Sequence, residues 1–162
     1  MRGRRYRGPM AGTTPPTGLK RWLFHAPTYL YRARLGFVFG HRFLMIEHRG
    51  RRSGTRYRTV VEVAGRSSDE WFVAAGYGPG SDWYRNLVAG GLEAVWIGSR
   101  RHAATARFPD ADEAARVFAR YEADHPRAAK VIMDELGISY DGTDAGRVEM
   151  VRAIPMVAFS VG

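Results

Sequence analysis

The chain has 162 residues, 45% of them hydrophobic, no cysteine and a formal net charge of +9. That length suits one domain built around one core. The missing thiols exclude disulfides, thiolate metal sites and cysteine nucleophiles, and the lack of an apolar run of about 18 residues argues against a membrane-spanning helix. The charge is uneven: residues 1–109 carry nineteen bases and six acids, residues 110–149 five bases and ten acids. A basic half beside an acidic one can steer an anionic ligand, and nucleic acid or anionic lipid could use the same patch.

Residues 1–17 combine Met1-Arg2-Gly3-Arg4-Arg5 with Gly12-Thr13-Thr14-Pro15-Pro16-Thr17. Proline and glycine stand where an export signal would need its apolar stretch, so this segment reads as a disordered basic tail ahead of a single domain over 18–162. Leu19, Trp22, Leu23, Ala26 and Leu30 recur at helical spacing, with Pro27 forcing a break or kink. Aromatic and basic residues around them allow residues 18–35 either to pack on the domain or to touch a membrane surface. A cytoplasmic protein, with peripheral contact at the inner face of the membrane, is the corresponding expectation.

From Phe43 the pattern changes to strands. Phe43–Glu47 is a compact apolar run and Tyr57–Val63 is rich in β-branched residues, so residues 50–54 should join two antiparallel strands. Gly65-Arg66-Ser67-Ser68-Asp69 reads as the next turn, before a strand over 71–75. Gly76-Tyr77-Gly78-Pro79-Gly80 is too glycine-rich for regular structure. Asp82 is placed to cap a short helix through Leu87, ended by Gly90-Gly91. Residues 94–97 and 102–108 read as one hairpin around Gly98-Ser99-Arg100. Asp110 to Glu113 opens a helix with Ala114, Val117, Phe118 and Tyr121 on one face; His125-Pro126 interrupts it, and residues 128–136 resume helically until Gly137. Residues 156–161 close the domain as a strand. Hairpins dominate, which predicts an α+β fold with a mostly antiparallel barrel and flanking helices.

Gly50-Arg51-Arg52-Ser53-Gly54 is the segment that most clearly carries chemistry. A glycine-bounded turn can present backbone N–H groups to an anion, and guanidinium groups beside it add charge-assisted, often bidentate bonds to phosphate or carboxylate. A second donor set is expected from the glycine loop at 76–80 and the helix start at Trp83, where unpaired N–H groups favour negative charge. Five histidines show no metal-ligand spacing and no G-x-S-x-G elbow is present.

These segments together, strand Leu44-Met45-Ile46, turn 50–54, Arg58, glycine loop 76–80 and then Trp83-Tyr84-Arg85-Asn86-Leu87, resemble the deazaflavin (F420)-dependent nitroreductase family, F420H2-dependent quinone reductases included. The resemblance covers roughly residues 40–110. It implies a split β-barrel and an oxidoreductase that passes a hydride from reduced F420 to a quinone, a nitroaromatic compound or another conjugated electrophile. It further implies that Gly50, Arg51, Arg52, Ser53, Gly54 and Arg58 hold the cofactor's phosphate and acidic tail, with Ala75, Gly76, Tyr77, Trp83 and Asn86 nearer its ring. Tyr77 is the candidate ring-side contact or proton donor, and Tyr121 and Tyr140 are candidate substrate contacts. Arg56 competes with Arg58, because the family's usual arginine falls between them in an ungapped count.

Two departures are plain. Glu47-His48-Arg49 stands where many members have threonines, and Tyr77 stands where the best-known branch has a lysine. FMN, bound by related split barrels, is the alternative cofactor. A basic protein binding nucleic acid or a membrane surface is the non-enzymatic alternative.

Overall fold

A computed structural model describes residues 41–162. The expected tail at 1–17 and the segment 18–35 lie outside the described residues. Within them, seven strands form one antiparallel sheet, β1 (Phe43–Arg49), β2 (Arg56–Arg66), β3 (Glu70–Ala74), β4 (Leu92–Ile97), β5 (Arg100–His102), β6 (Ala104–Arg107) and β7 (Met156–Val161), in the order β5-β4-β1-β2-β3-β7-β6. The edges β5 and β6 are consecutive in sequence, and β6 also lies against β4, so the sheet curls into a nearly closed barrel.

The predicted hairpin over 94–108 is corrected here. The run after Gly98 breaks at Ala103: β5 pairs with β4, whereas β6 leaves it and pairs with β7. Arg107 fixes that crossing. Its guanidinium donates bidentately to Glu70 on β3 at 2.6 Å and to Glu113 at 2.7 and 2.8 Å. β2 is also longer than its apolar run suggests. It passes through Gly65, where its pairing with β3 shifts register, so its first half pairs with β1 and its second with β3. The bulge lets one strand serve both sides of the barrel.

The period of two divides the core. Leu44, Ile46, Trp71, Val73, Val95, Val157 and Phe159 face the barrel interior. Their neighbours Phe72, Met156 and Ala158 face outward, where α2 (Ala111–Asp124) and α4 (Asp144–Ala153) cover them through Ala114, Val117, Met150 and Val151. Between these helices in the sequence comes α3 (Pro126–Leu136), ended by left-handed Gly137 (φ 65°). Asp110 caps α2 as expected, its carboxylate accepting from the Glu113 N–H. Helix α4 was not expected from the sequence. Thr143 caps it, accepting from the Gly146 N–H, but Gly146 and scattered apolar positions hide its period.

One end of the barrel is plugged by α1 (Asp82–Val88), whose Leu87 enters the interior core. Ser81 takes the cap position and makes no side-chain capping bond there, while the expected cap Asp82 is the first helical residue, turned toward Arg51.

Candidate functional site

Turn 50–54 joins β1 to β2 beside α1. The Gly54 N–H donates to the Gly50 carbonyl and the Gly50 N–H to the Thr55 carbonyl, both at 2.8 Å, and left-handed Gly54 (φ 66°) reverses the chain. Asn86 on α1 fastens the turn from below: its Oδ1 accepts from the Arg51 backbone N–H at 3.1 Å and from Arg51 Nη1 at 3.0 Å. The Thr55 N–H is taken by Ser53 Oγ. That leaves the backbone N–H groups of Arg52 and Ser53 as the turn's two donors with no acceptor among the described residues. A cleft of about 480 Å³ opens over them, lined by His48, Arg51, Arg52, Ser53, Tyr57, Arg58, Thr59, Trp83 and Asn86.

Most arginines expected to present charge are engaged within the fold. Arg49 and Arg56 both pair with Glu93, and Arg51 reaches Asp82 at 3.1 Å. Arg58 holds Glu47 at 2.7 Å while Arg101 holds its other oxygen at 2.8 Å. Burial alone would raise the Glu47 carboxyl, but the bonds from Arg101 and Arg58 outweigh it and keep its pKa below the ordinary value. Arg52 has no ion-pair partner among the described residues. It is the open cation of the turn, and with the two free N–H groups it suits a phosphate or carboxylate.

The remaining predicted residues fall elsewhere. Gly76 and Tyr77 line a second, apolar cavity of about 420 Å³, with Phe43, Val60, Ala64, Phe118, Tyr121, Leu136 and Met156 among its walls. Both depressions follow β2: residues 57–59 border the cleft, and Val60, Glu62 and Ala64 border the cavity. Ala75 lines neither, being fully buried with its N–H on the Pro155 carbonyl. Tyr140 also lies outside the cavity and donates to the Glu122 carboxylate. Tyr121 is buried in the wall, its hydroxyl donating to Glu62 Oε1 at 2.9 Å. Burial, reinforced by the Glu62 charge, pushes its pKa up. Tyr77 is 52% exposed at the rim, and partial burial with the Glu135 charge raises its pKa too.

Sequence reasoning missed His48, Glu47, Thr59 and Arg101. For His48 and Thr59 the signal was position, near the ends of the two strands that flank the anion turn; Glu47 lies on the opposite face of β1, and its pairing with Arg58 and Arg101 depends on strand register.

A family model described as F420H(2)-dependent quinone reductase matches residues 28–134. No curated relative matches the chain. Among solved structures, an F420-H2 dependent reductase, FDR-A, is 18% identical with a TM-score of 0.52, the match covering 75% of this chain and 96% of that one. A structure described as a domain-swapped dimer is 16% identical with a TM-score of 0.53, covering 88% of this chain and 100% of that one. At such identities these two likenesses show the fold, a split barrel with flanking helices, and the family rests on the match to residues 28–134.

Proposed function

Because the chain belongs to the F420H(2)-dependent quinone reductase family, oxidoreductases that work with reduced F420, we propose that it reduces an uncharged, conjugated acceptor of the quinone type. The observation that carries this reading is the succession along β2 of a polar cleft with two open N–H groups and an apolar cavity large enough for a ring system.

The residues of the cleft fit an anionic cofactor. Arg52 and the N–H groups of Arg52 and Ser53 would hold its phosphate, with Arg51 and Arg58 contributing while still tied to Asp82 and Glu47. Gly76 and Tyr77 would meet the ring side. When bound, reduced F420 supplies the hydride. The chain's part is to orient, to exclude water and to supply a proton, since a hydride and a proton together convert a quinone to a hydroquinone. Phe118, Leu136 and Met156 keep water from the acceptor, and the Tyr77 hydroxyl, standing at the rim, can pass a solvent proton inward.

Cytoplasmic placement with contact at the inner membrane face belongs to the same proposal. Exposed Val131 (61%) and the Tyr77 ring border the cavity that an apolar acceptor would enter, which suits the membrane contact alone. Nucleic-acid binding is disfavoured, because Glu47, Glu93 and Asp82 already neutralise much of the arginine cluster. Fluorescence titration with F420 and with FMN, followed by single-turnover reduction of a water-soluble quinone and of a nitroaromatic compound, tests the reading. It is lost if FMN binds more tightly, or if neither acceptor oxidises bound reduced F420.

A further inference from the structure

His48 is 2% exposed, and its ring joins the turn-bearing end of β1 to both neighbouring elements. Its Nδ1 lies 3.1 Å from Asn86 Nδ2 on α1, and its Nε2 lies 3.1 Å from Thr59 Oγ1 on β2. Asn86, itself 3% exposed, turns its other end to the arginine turn.

The protons of this chain of contacts have one satisfactory arrangement. Asn86 Oδ1 faces two donors, the N–H and Nη1 of Arg51, so the amide nitrogen must face the histidine. His48 Nδ1 must then accept, which puts the ring proton on Nε2, donating to Thr59. A second ring proton would set N–H against N–H at Asn86. Flipping the amide would relieve that contact only by turning its NH₂ group toward the two Arg51 donors. No orientation of Asn86 serves both a cationic His48 and Arg51 in this geometry.

We propose that neutral His48 is a positioning residue for the anion-binding turn: through Asn86 it holds Arg51, and so keeps the Arg52 and Ser53 N–H groups aimed into the cleft. Protonation of His48 releases the turn and weakens anion binding. The groups around the ring give a consistent picture. Burial lowers the His48 pKa, Asp82 on α1 opposes that, Tyr57 stacks on the ring from β2 at 5.8 Å, and Arg51, Arg52 and Arg58 line the same cleft. The lock is therefore closed at neutral pH and opens on acidification below the ordinary histidine value of about 6.5.

The inference rests on the F420 reading only for the identity of the anion, and the test separates the two. In ligand-free ¹⁵N-labelled protein, lowering the pH from about 7.5 to about 5.5 should move the His48 ring, the Asn86 side-chain amide and the Arg51 backbone amide together. F420 affinity, followed by fluorescence, should fall several-fold over that range in the wild type and further below it. His48→Asn offers Asn86 a carboxamide oxygen that does not titrate, so its affinity should change less than about two-fold over the same range. His48→Leu offers no acceptor and should bind about ten-fold more weakly at both pH values. Inorganic phosphate, read at the Arg52 and Ser53 amides as wild type relative to His48→Asn so that the ligand's own ionisation cancels, repeats the series without F420. The proposal is overturned if His48→Asn loses affinity in parallel with the wild type, or if Asn86 and Arg51 stay still while His48 titrates. Failure to bind F420 at either pH, with phosphate following the expected series, would instead sink the cofactor reading and leave the lock standing.

Discussion

The cleft and the cavity are close in size, about 480 and 420 Å³, yet they are built by opposite means. Local chain makes the cleft. One hairpin turn, the strand ends beside it and a seven-residue helix supply its working atoms, and most of its charges cancel within the fold. The cavity is assembled from β1, β2, β3, β7 and three helices distant in sequence, and its walls are mostly apolar. Binding at the cleft should therefore answer to single polar atoms, and binding at the cavity to the packing of whole elements.

The largest expected separation comes from Gly91→Val. A Cβ there would meet the Arg49 carbonyl at 2.7 Å and the Asn86 carbonyl at 2.8 Å, backbone atoms that join β1 to α1. Such overpacking costs about 3 kcal/mol. A denaturant melt should show that loss, and acceptor analogues should still protect the cavity from proteolysis at α3. If α3 loosens equally, the two regions are one cooperative unit.

Next is Arg58→Leu, which leaves buried Glu47 with Arg101 as its remaining arginine partner. Breaking a buried pair costs several kcal/mol, but Arg58 and Arg101 are half exposed and water can follow, so about 2 kcal/mol is expected. The Glu47 pKa is lowered in the folded protein, so its stabilisation is present above the ordinary value near 4.5. It disappears as pH falls through the folded value. Without Arg58 the folded Glu47 pKa lies nearer the unfolded value, so the variant should start less stable at neutral pH and show a shallower acid limb than the wild type. An unchanged acid limb would show that Glu47 is not the group being titrated.

Arg52→Ala should act on affinity instead. With no internal ion pair to lose, it should leave melting unchanged and weaken F420 binding by about 1.5 kcal/mol, roughly ten-fold. A melting temperature that drops while affinity holds would reverse the assignment of Arg52 and Arg58.

The smallest effect belongs to the cavity wall. Tyr121→Phe removes one hydrogen bond to Glu62, worth about 1 kcal/mol. The Tyr121 pKa is raised, so its stabilisation is complete below the unfolded value near 10 and is lost as pH rises through the folded one. The variant should thus show a shallower alkaline limb, with F420 affinity intact. Altered F420 affinity would mean that the cofactor reaches past Gly76 and Tyr77 to the Tyr121 wall of the cavity.

What could be read from the chain divides along the same line. Turn 50–54 and the helix at 82 were legible because each is a local device, with glycine punctuation and side chains a few residues apart; Asn86 was expected near the cofactor ring, whereas its bonds go to Arg51, 35 residues away. The strand alternation was legible for the same reason. The split of the strand after Gly98 was not, since nothing within residues 100–107 tells that one half pairs with β4 and the other with β7. Nor was the neutralising of the strand arginines beside the turn by Glu47 and Glu93, which depends on strand register. His48 was not legible because histidine spacing signals metal ligation, whereas its work is to accept one hydrogen bond from an amide 38 residues away.

Strand β7 occupies the place between β3 and β6, with the outer layer packed on its other face. The strand that comes last in sequence is thus internal to the sheet. During vectorial synthesis the hairpins of β1 to β3 can form as they emerge, but β3 and β6 each keep an unsatisfied edge until residues 156–161 leave the ribosome. Those edges are the nascent chain's points of exposure to wrong partners, and the short segment that removes them does so in one late, long-range step.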